Sequence, residues 1–243
     1  MFALLRKEIN AFLHSIIGYV VLVVFLVVNG LFLWVFPLDF NIFEFGYANL
    51  DGLFMLAPFV FLFLIPAITM RSFADERSYG TIEILFTKPL TDWQIILAKY
   101  FAAVLLVLFA LIPTLVYYFT VYQLGIPKGN LDSGAIWGSY IGLFFLGASF
   151  AAIGIFASSL TDNQIVAFIA GAGFSAFMYL GFEFIYSLSF FGKMDLFIKS
   201  MGINTHYASL SRGVIDTRDV LYFLSLIAVF LMLTHFVIGK RKW

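Results

Sequence analysis

Cysteine is absent from the 243 residues, so disulfides, thiol chemistry and thiolate metal sites are excluded. Histidine is nearly absent: His14, His206 and His235 stand alone, with none of the spacings that ligate a metal, and read as ordinary interfacial residues. No G-x-x-x-x-G-K-[ST] loop is present, and the nearest candidate, "GIPKGN", lacks both the spacing and the following helix, so this chain has no phosphate cradle of its own. Charge is scarce as well, at 12% of residues. What fills the chain instead is 63% hydrophobic and 20% aromatic residues, far from the composition of a soluble domain. A soluble bundle of this length would have to expose dozens of large apolar side chains, so a bilayer is its solvent.

Six unbroken apolar runs, approximately Ile16–Phe36, Leu53–Met70, Tyr100–Leu124, Ile136–Leu160, Ile165–Phe190 and Val220–Ile238, are each long enough to cross the hydrocarbon as a helix. That crossing takes about 20 residues at ~1.5 Å each. A transmembrane barrel would alternate apolar and polar positions. The expectation is therefore an all-α polytopic membrane protein, a single transmembrane domain over 1–243. Gly147, Ala151, Gly154, Gly171 and Gly173 offer small faces for close helix packing.

Orientation follows from Lys and Arg. Arg6, Lys7, Arg71, Arg77, Lys88, Lys99, Lys240, Arg241 and Lys242 fall on one side, and Lys128, Lys193, Lys199, Arg212 and Arg218 on the other. Nine against five puts both termini in the cytoplasm. The run after Arg6 and Lys7 is too long for a signal-peptide core and is followed by no small-x-small cleavage site, so the first span should stay as an anchor in the inner (plasma) membrane. Before it, residues 1–15 place Phe2, Leu5, Ile9 and Phe12 on one helical face and Arg6, Lys7, Asn10 and His14 on another, the pattern of an interfacial helix.

Between the second and third runs, residues 71–99 hold eight of the 28 charged residues (14 basic plus 14 acidic). Burying them in lipid would cost on the order of 20 kcal/mol, so this loop should lie in cytoplasmic water or against another protein. Its grammar predicts order. Gly80 closes a helix leaving the second span, Thr81 caps a short helix "IEILFTK", and Pro89 stops it. Thr91 and Gln94 then form a capping box that opens the third span. The short crosswise helix carries Ile82, Ile84, Leu85 and Phe86 beside Glu83 and Lys88. Two readings stay open: docking into a partner's cleft, or an interfacial helix dipping into lipid. A second polar turn, "ASSLTDNQIVAF" (Ala157–Phe168), contains Thr161, Asp162 and Gln164, with Thr161 and Gln164 read as another capping box.

The arrangement "ERSYGTIEILFTKPLTDWQIILAK" resembles the first cytoplasmic loop of type-2 ABC transporter permeases, with its E-[RK]-x-x-G-[TS]-x-E-x-L-x-x-x-P pattern met at Glu76, Arg77, Gly80, Thr81, Glu83, Leu85 and Pro89. Residues 157–168 look like the family's turn between spans four and five, and "SLSRGVIDTRDVLYF" like its approach to the last span. The whole is most similar to the gliding-motility permease subunit of the Bacteroidetes type. The resemblance implies a coupling helix, with Glu76, Arg77, Gly80, Thr81, Glu83, Leu85, Lys88 and Pro89 meeting a separate ABC ATPase subunit that binds ATP and Mg. It further implies a second permease subunit, as a homodimer or heterodimer, with an external domain possible on that partner. No cofactor, metal, catalytic residue or nucleic-acid partner is expected in this chain.

Two other classes remain open. An ion-coupled transporter or channel would need a carboxylate inside the membrane, and Glu183 in the fifth run is the one candidate. A scaffold would convert a partner's ATP cycle into force or assembly without moving a solute. On the outer side, the family resemblance implies short helices that re-enter the outer leaflet between the fifth and sixth spans, with Asp195–Ser200 the candidate. The Ser, His and Asp of "NTHYASLSRGVID" have no spacing that makes a catalytic triad.

Overall fold

Packing begins from one long central helix. The computed structural model describes every residue except Phe45, Lys88, Phe190, Phe191 and 241–243, and Ile17, Ile84, Phe86 and Lys193 by backbone alone. Among the described residues there are thirteen α-helices and no strand. The hub is α8 (Ser133–Leu160), 28 residues capped by the Asp132 carboxylate on the Ala135 N–H. Around it lie α3 (Asp51–Thr69), α4 (Arg71–Ser78), α6 (Asp92–Leu111), α9 (Gln164–Ala176), α12 (Ile203–Leu210) and α13 (Thr217–Gly239).

Five helical stretches, Asp51–Ser78, Asp92–Leu124, Ser133–Leu160, Gln164–Ser187 and Thr217–Gly239, are long and apolar enough to cross a membrane. The pair α1 (Phe2–Leu13) and α2 (Ile16–Trp34) makes a sixth if taken as one span; the axes of Phe2–Leu13 and Gly18–Trp34 bend by 65°. The bend has a local cause. Ser15 caps α2 through the Gly18 N–H, and a Cβ at Gly18 would lie 2.4 Å from the Phe12 carbonyl oxygen, so only glycine lets α1 turn this sharply.

Two of the expected spans are not continuous α-helix. In the third, Pro113 removes a backbone donor, and a 3-10 turn at Ile112–Thr114 separates α6 from α7 (Leu115–Leu124). In the fifth, a π turn at Phe177–Gly181 separates α9 from α10 (Phe182–Ser187). A 3-10 turn at Gly192–Met194 then leads to α11 (Asp195–Ser200), on the residues expected to form a short helix, and to α12.

The small-residue stripe does its packing on one side only. A Cβ at Gly154 would lie 2.1 Å from Thr69 Oγ1, and one at Gly147 2.6 Å from a Val107 methyl. Ala151 is fully buried, and a Cβ at Gly171 would stand 3.3 Å from Pro66. Gly173 faces open space, so its place in the expected packing stripe is corrected: position on the helix, not residue type, decides which glycine is needed.

Gly154→Ala is expected to destabilise the fold by about 1–3 kcal/mol through overpacking against Thr69. Gly173→Ala is expected to be neutral or stabilising by up to ~1 kcal/mol through helix propensity. Thermal unfolding in detergent measures both.

Candidate functional site

The polar loop is built as a corner of three short pieces. Where α3 passes into α4 at Met70, the chain starts a new helix without a cap of its own. The uncapped amides are met from α8: Ser158 Oγ accepts from the N–H groups of Phe73 (3.0 Å) and Ala74 (3.1 Å) and donates to the Met70 carbonyl (2.8 Å). One buried hydroxyl thereby fastens α4 to the hub.

After α4, Gly80 takes φ +67°, the left-handed conformation that closes a helix, as the sequence predicts. Thr81 stands at the start of α5 (Ile82–Phe86), but its hydroxyl donates back to the Glu76 carbonyl at 3.3 Å and does not cap α5. The capping role expected for it is therefore corrected, since the end of α4 offers a nearer acceptor. The next expectation holds: Thr91 and Gln94 form a complete capping box at the start of α6.

The side chains of the corner divide into two sets. Gly80, Thr81, Glu83 and Pro89 are exposed, whereas Ile82 and Leu85 pack against the hydrophobic core of this chain. Arg77 is half-buried, and Lys88 lies outside the described residues. Glu76 is buried and turned inward.

What receives Glu76 is an ion cluster. Lys99, at the beginning of the third span, is 2% exposed. Its ammonium lies 3.0 Å from Glu8 Oε1 of α1 and 3.0 Å from Glu76 Oε1 of α4, and 5.1 Å from the centre of the Phe73 ring. Lys7 joins the same two oxygens at 3.3 and 3.1 Å. Two ammoniums and two carboxylates alternate around a square that is neutral overall and ties three helices together. Burial works against the Lys7 ammonium, yet Glu8 and Glu76 outweigh it and hold its pKa above the ordinary value. A cavity of about 200 Å³ adjoins the square, lined in part by Arg71 and Asp75.

The second polar turn meets the same corner. Gln164 Oε1 accepts from Arg71 Nε at 3.2 Å, bridging α9 to α4. Ser78, Asp162, Asn163, Gln164 and Ile165 line one open groove of about 500 Å³. The capping box expected from Thr161 and Gln164 does not form. Asn163 caps α9, accepting from the Ile165 and Val166 N–H groups, and the Thr161 hydroxyl accepts from the Asn163 N–H. The structure thus brings together Glu76, Arg77, Gly80, Thr81, Glu83, Leu85 and Pro89 with Asp162 and Gln164 at one end of the bundle. Sequence reasoning missed Glu8, Ser158 and Asn163 and the pairing of Lys99. The available signal was a lone lysine inside the apolar run "LAKYFAAV", which has to find an anion.

At the opposite end, Glu183 of α10 accepts a hydrogen bond from Asn204 of α12. His206 Nδ1 meets Asp219 at 2.7 Å, its Nε2 meets the Ser200 carbonyl at 2.9 Å, and Ser209 donates to Asp219. Because Ser209 bonds the carboxylate and not the imidazole, this is a structural tie and not a nucleophile with its base. Among the described residues no group of three His, Cys, Asp or Glu is placed to hold a metal.

A sequence profile of the family described as "ABC-2 family transporter protein" matches residues 39–243. Two curated relatives, the "Probable multidrug ABC transporter permease YbhR" of Escherichia coli strain K12 and that of strain O157:H7, are each 30% identical over 125 residues. Each alignment covers 50% of this chain and 32% of the relative's length, so this chain spans about a third of the curated relatives it matches.

Removing one member of a buried ion pair such as Lys99–Glu76 strands its partner, at ~3–5 kcal/mol. Lys99→Met is accordingly expected to destabilise the fold by about 3 kcal/mol, and adding Glu76→Gln to recover at least half of that. Unfolding in detergent checks it; strictly additive losses would mean that the two groups do not interact.

Proposed function

The chain belongs to the ABC-2 transporter family, and on that premise we propose that it is the membrane permease subunit of an ATP-driven transporter, moved by a separate ABC ATPase. The ATPase docks on the exposed edge of the corner, at Gly80, Thr81, Glu83 and Pro89, and on the neighbouring turn at Thr161, Asp162 and Gln164. ATP and Mg bind to that partner. The corner end faces the cytoplasm of the bacterial inner membrane, with both termini on the same side, and a second permease subunit completes the pathway.

The observation that carries this reading is the division of labour in α5. Its apolar residues Ile82 and Leu85 are held by the chain's own core while Gly80, Thr81 and Glu83 are exposed, and α4 beside it is fastened by Ser158 and by the Lys99 square. A segment so attached moves with α3 and α4 as one body, which is what a lever requires. Glu76 belongs to the fastening, and Glu83 to the contact.

What the complex does with the motion is the finer part of the reading. The resemblance of the Phe-rich spans, of the turn at 157–168 and of the last-span approach to gliding-motility permeases favours force or assembly work there, while the multidrug name of the relatives points to solute export. Ion coupling through Glu183 is the weaker alternative, since that carboxylate is engaged by Asn204 at the end away from the corner.

Gly80→Pro puts a residue restricted to φ near −65° at a position with φ +67°. Co-expressed with a candidate ABC ATPase partner whose turnover the wild-type chain stimulates, it is expected to reach the membrane at wild-type level and to lose at least about tenfold in permease-stimulated ATP turnover, some 1.4 kcal/mol of coupling. Glu83→Arg is expected to weaken ATPase co-purification. Wild-type turnover and co-purification in both variants would refute the docking assignment. Glu183→Gln is expected to leave turnover unchanged, and its loss would favour ion coupling.

A further inference from the structure

Pro58 lies within α3 and has no N–H to give the carbonyl four residues earlier, that of Phe54. In a span, an unpaired carbonyl is costly and needs a partner from elsewhere. The partner is Tyr207 of α12: its buried hydroxyl donates to the Phe54 oxygen at 2.8 Å. The rest of α12 is seated on α8. A Cβ at Gly142 would lie 2.5 Å from Leu210 Cβ, one at Gly138 2.5 Å from the Gly213 oxygen, and the Ser139 hydroxyl reaches the Ser211 carbonyl at 2.9 Å. Thus α12 bridges α8 to α3 at the end away from the corner, broadly on α8 and by one polar bond on α3.

The other end of the same helix pair is pinned by contact and a hydrogen bond. Thr69 lies in the notch of Gly154, and Ser158 holds Met70. From Thr69 to Phe54 is fifteen residues, roughly 22 Å of helix. A tilt of α3 of about 10° about the Gly154 notch therefore displaces Phe54 by roughly 4 Å, beyond what a hydrogen bond tolerates.

We propose that the Tyr207 hydroxyl is a latch that closes the far end of the bundle, released when the corner tilts α3 against α8. This rests on the reading of the corner as an ATPase-driven lever. Tyr207 acts on the pathway through α3 and α12 and is a positioning residue.

The test reads amide hydrogen exchange at residues 203–213 by mass spectrometry, in the full chain reconstituted into phosphatidylethanolamine–phosphatidylglycerol nanodiscs. Tyr207→Phe keeps the ring and deletes the hydroxyl, and exchange there is expected to quicken about tenfold. Tyr140→Phe, which deletes a different buried hydroxyl, bonded to Thr114, is expected to change that segment less than about twofold. Pro58→Ala returns a backbone donor to the Phe54 carbonyl, so in that background Tyr207→Phe is expected to act less than about threefold. No acceleration in the Pro58 background, or equal acceleration in both, overturns the latch. In nanodiscs holding the co-purified ATPase, ATP with vanadate is expected to quicken exchange at 203–213 in the wild-type chain. An unchanged profile with the ATPase bound overturns release by the lever. Failure of the ATPase to co-purify instead sinks the functional reading, while the isolated-chain result still decides the hydroxyl's role.

Discussion

A lysine ammonium buried at the entrance to a membrane span has to be answered by anions, and in this molecule the answer organises one whole end of the fold. Lys99 takes Glu8 from the first helix and Glu76 from the fourth, and Lys7 closes the square. Apolar packing alone would leave α4 underdetermined. It is eight residues long and buries only Phe73, Ala74 and Glu76, too little to set its rotation. Charge geometry sets it instead: turning α4 about its axis would withdraw Glu76 and leave Lys99 with one carboxylate in a site shielded from water. The Ser158 hydroxyl fixes the other coordinate, the height at which α4 leaves α3. Rigidity at this corner is thus polar in origin, inside a protein whose bulk cohesion is apolar.

The same contrast explains what could be read in the sequence. Five of the six expected spans were legible, and the sixth if the bent pair α1 and α2 is one span, since unbroken apolar runs leave a helix in lipid as the only economical state of the backbone. Local signals also survived folding where no competitor stood near: Gly80 closes α4, and Thr91 with Gln94 opens α6. They failed where another group was closer. Asn163 sits one residue from the α9 terminus and takes its amides, and Gln164 is drawn to Arg71, 93 residues away in the chain. The Lys99 square joins residues 91 positions apart, which no local spacing encodes. Gly154 and Gly173 are identical in composition terms and opposite in consequence, because packing against Thr69 depends on rotation about α8 and α9.

Proline positions were equally visible, but not the price of each. Inside lipid an interrupted helix is tolerated only where another element satisfies the freed groups. Pro58 frees the Phe54 carbonyl, and Tyr207 arrives from 153 residues away. At the Pro113 break, the Tyr140 hydroxyl of α8 bonds the Thr114 carbonyl at 3.1 Å, while Thr114 Oγ1 bonds Leu111 at 2.6 Å. At Pro58 and beside Pro113, a tyrosine from another helix thus ties the span across.

These ties differ in kind between the two ends, and the difference has a mechanical consequence. At the corner, α4 is held to α1 and α6 by a neutral square of four charges, and the junction of α3 and α4 is held to α8 by a shared serine and a glycine notch. At the opposite end, α3 is joined to α12 by the Tyr207 hydroxyl, with α12 itself seated on α8 and Phe54 also edge-on to Tyr140 of α8. In the proposed lever, a displacement imposed on the corner would meet stiff joints there and be carried along α3 to that hydroxyl. Since rigid helices rotate before they bend, the far end is where such a displacement would become an opening.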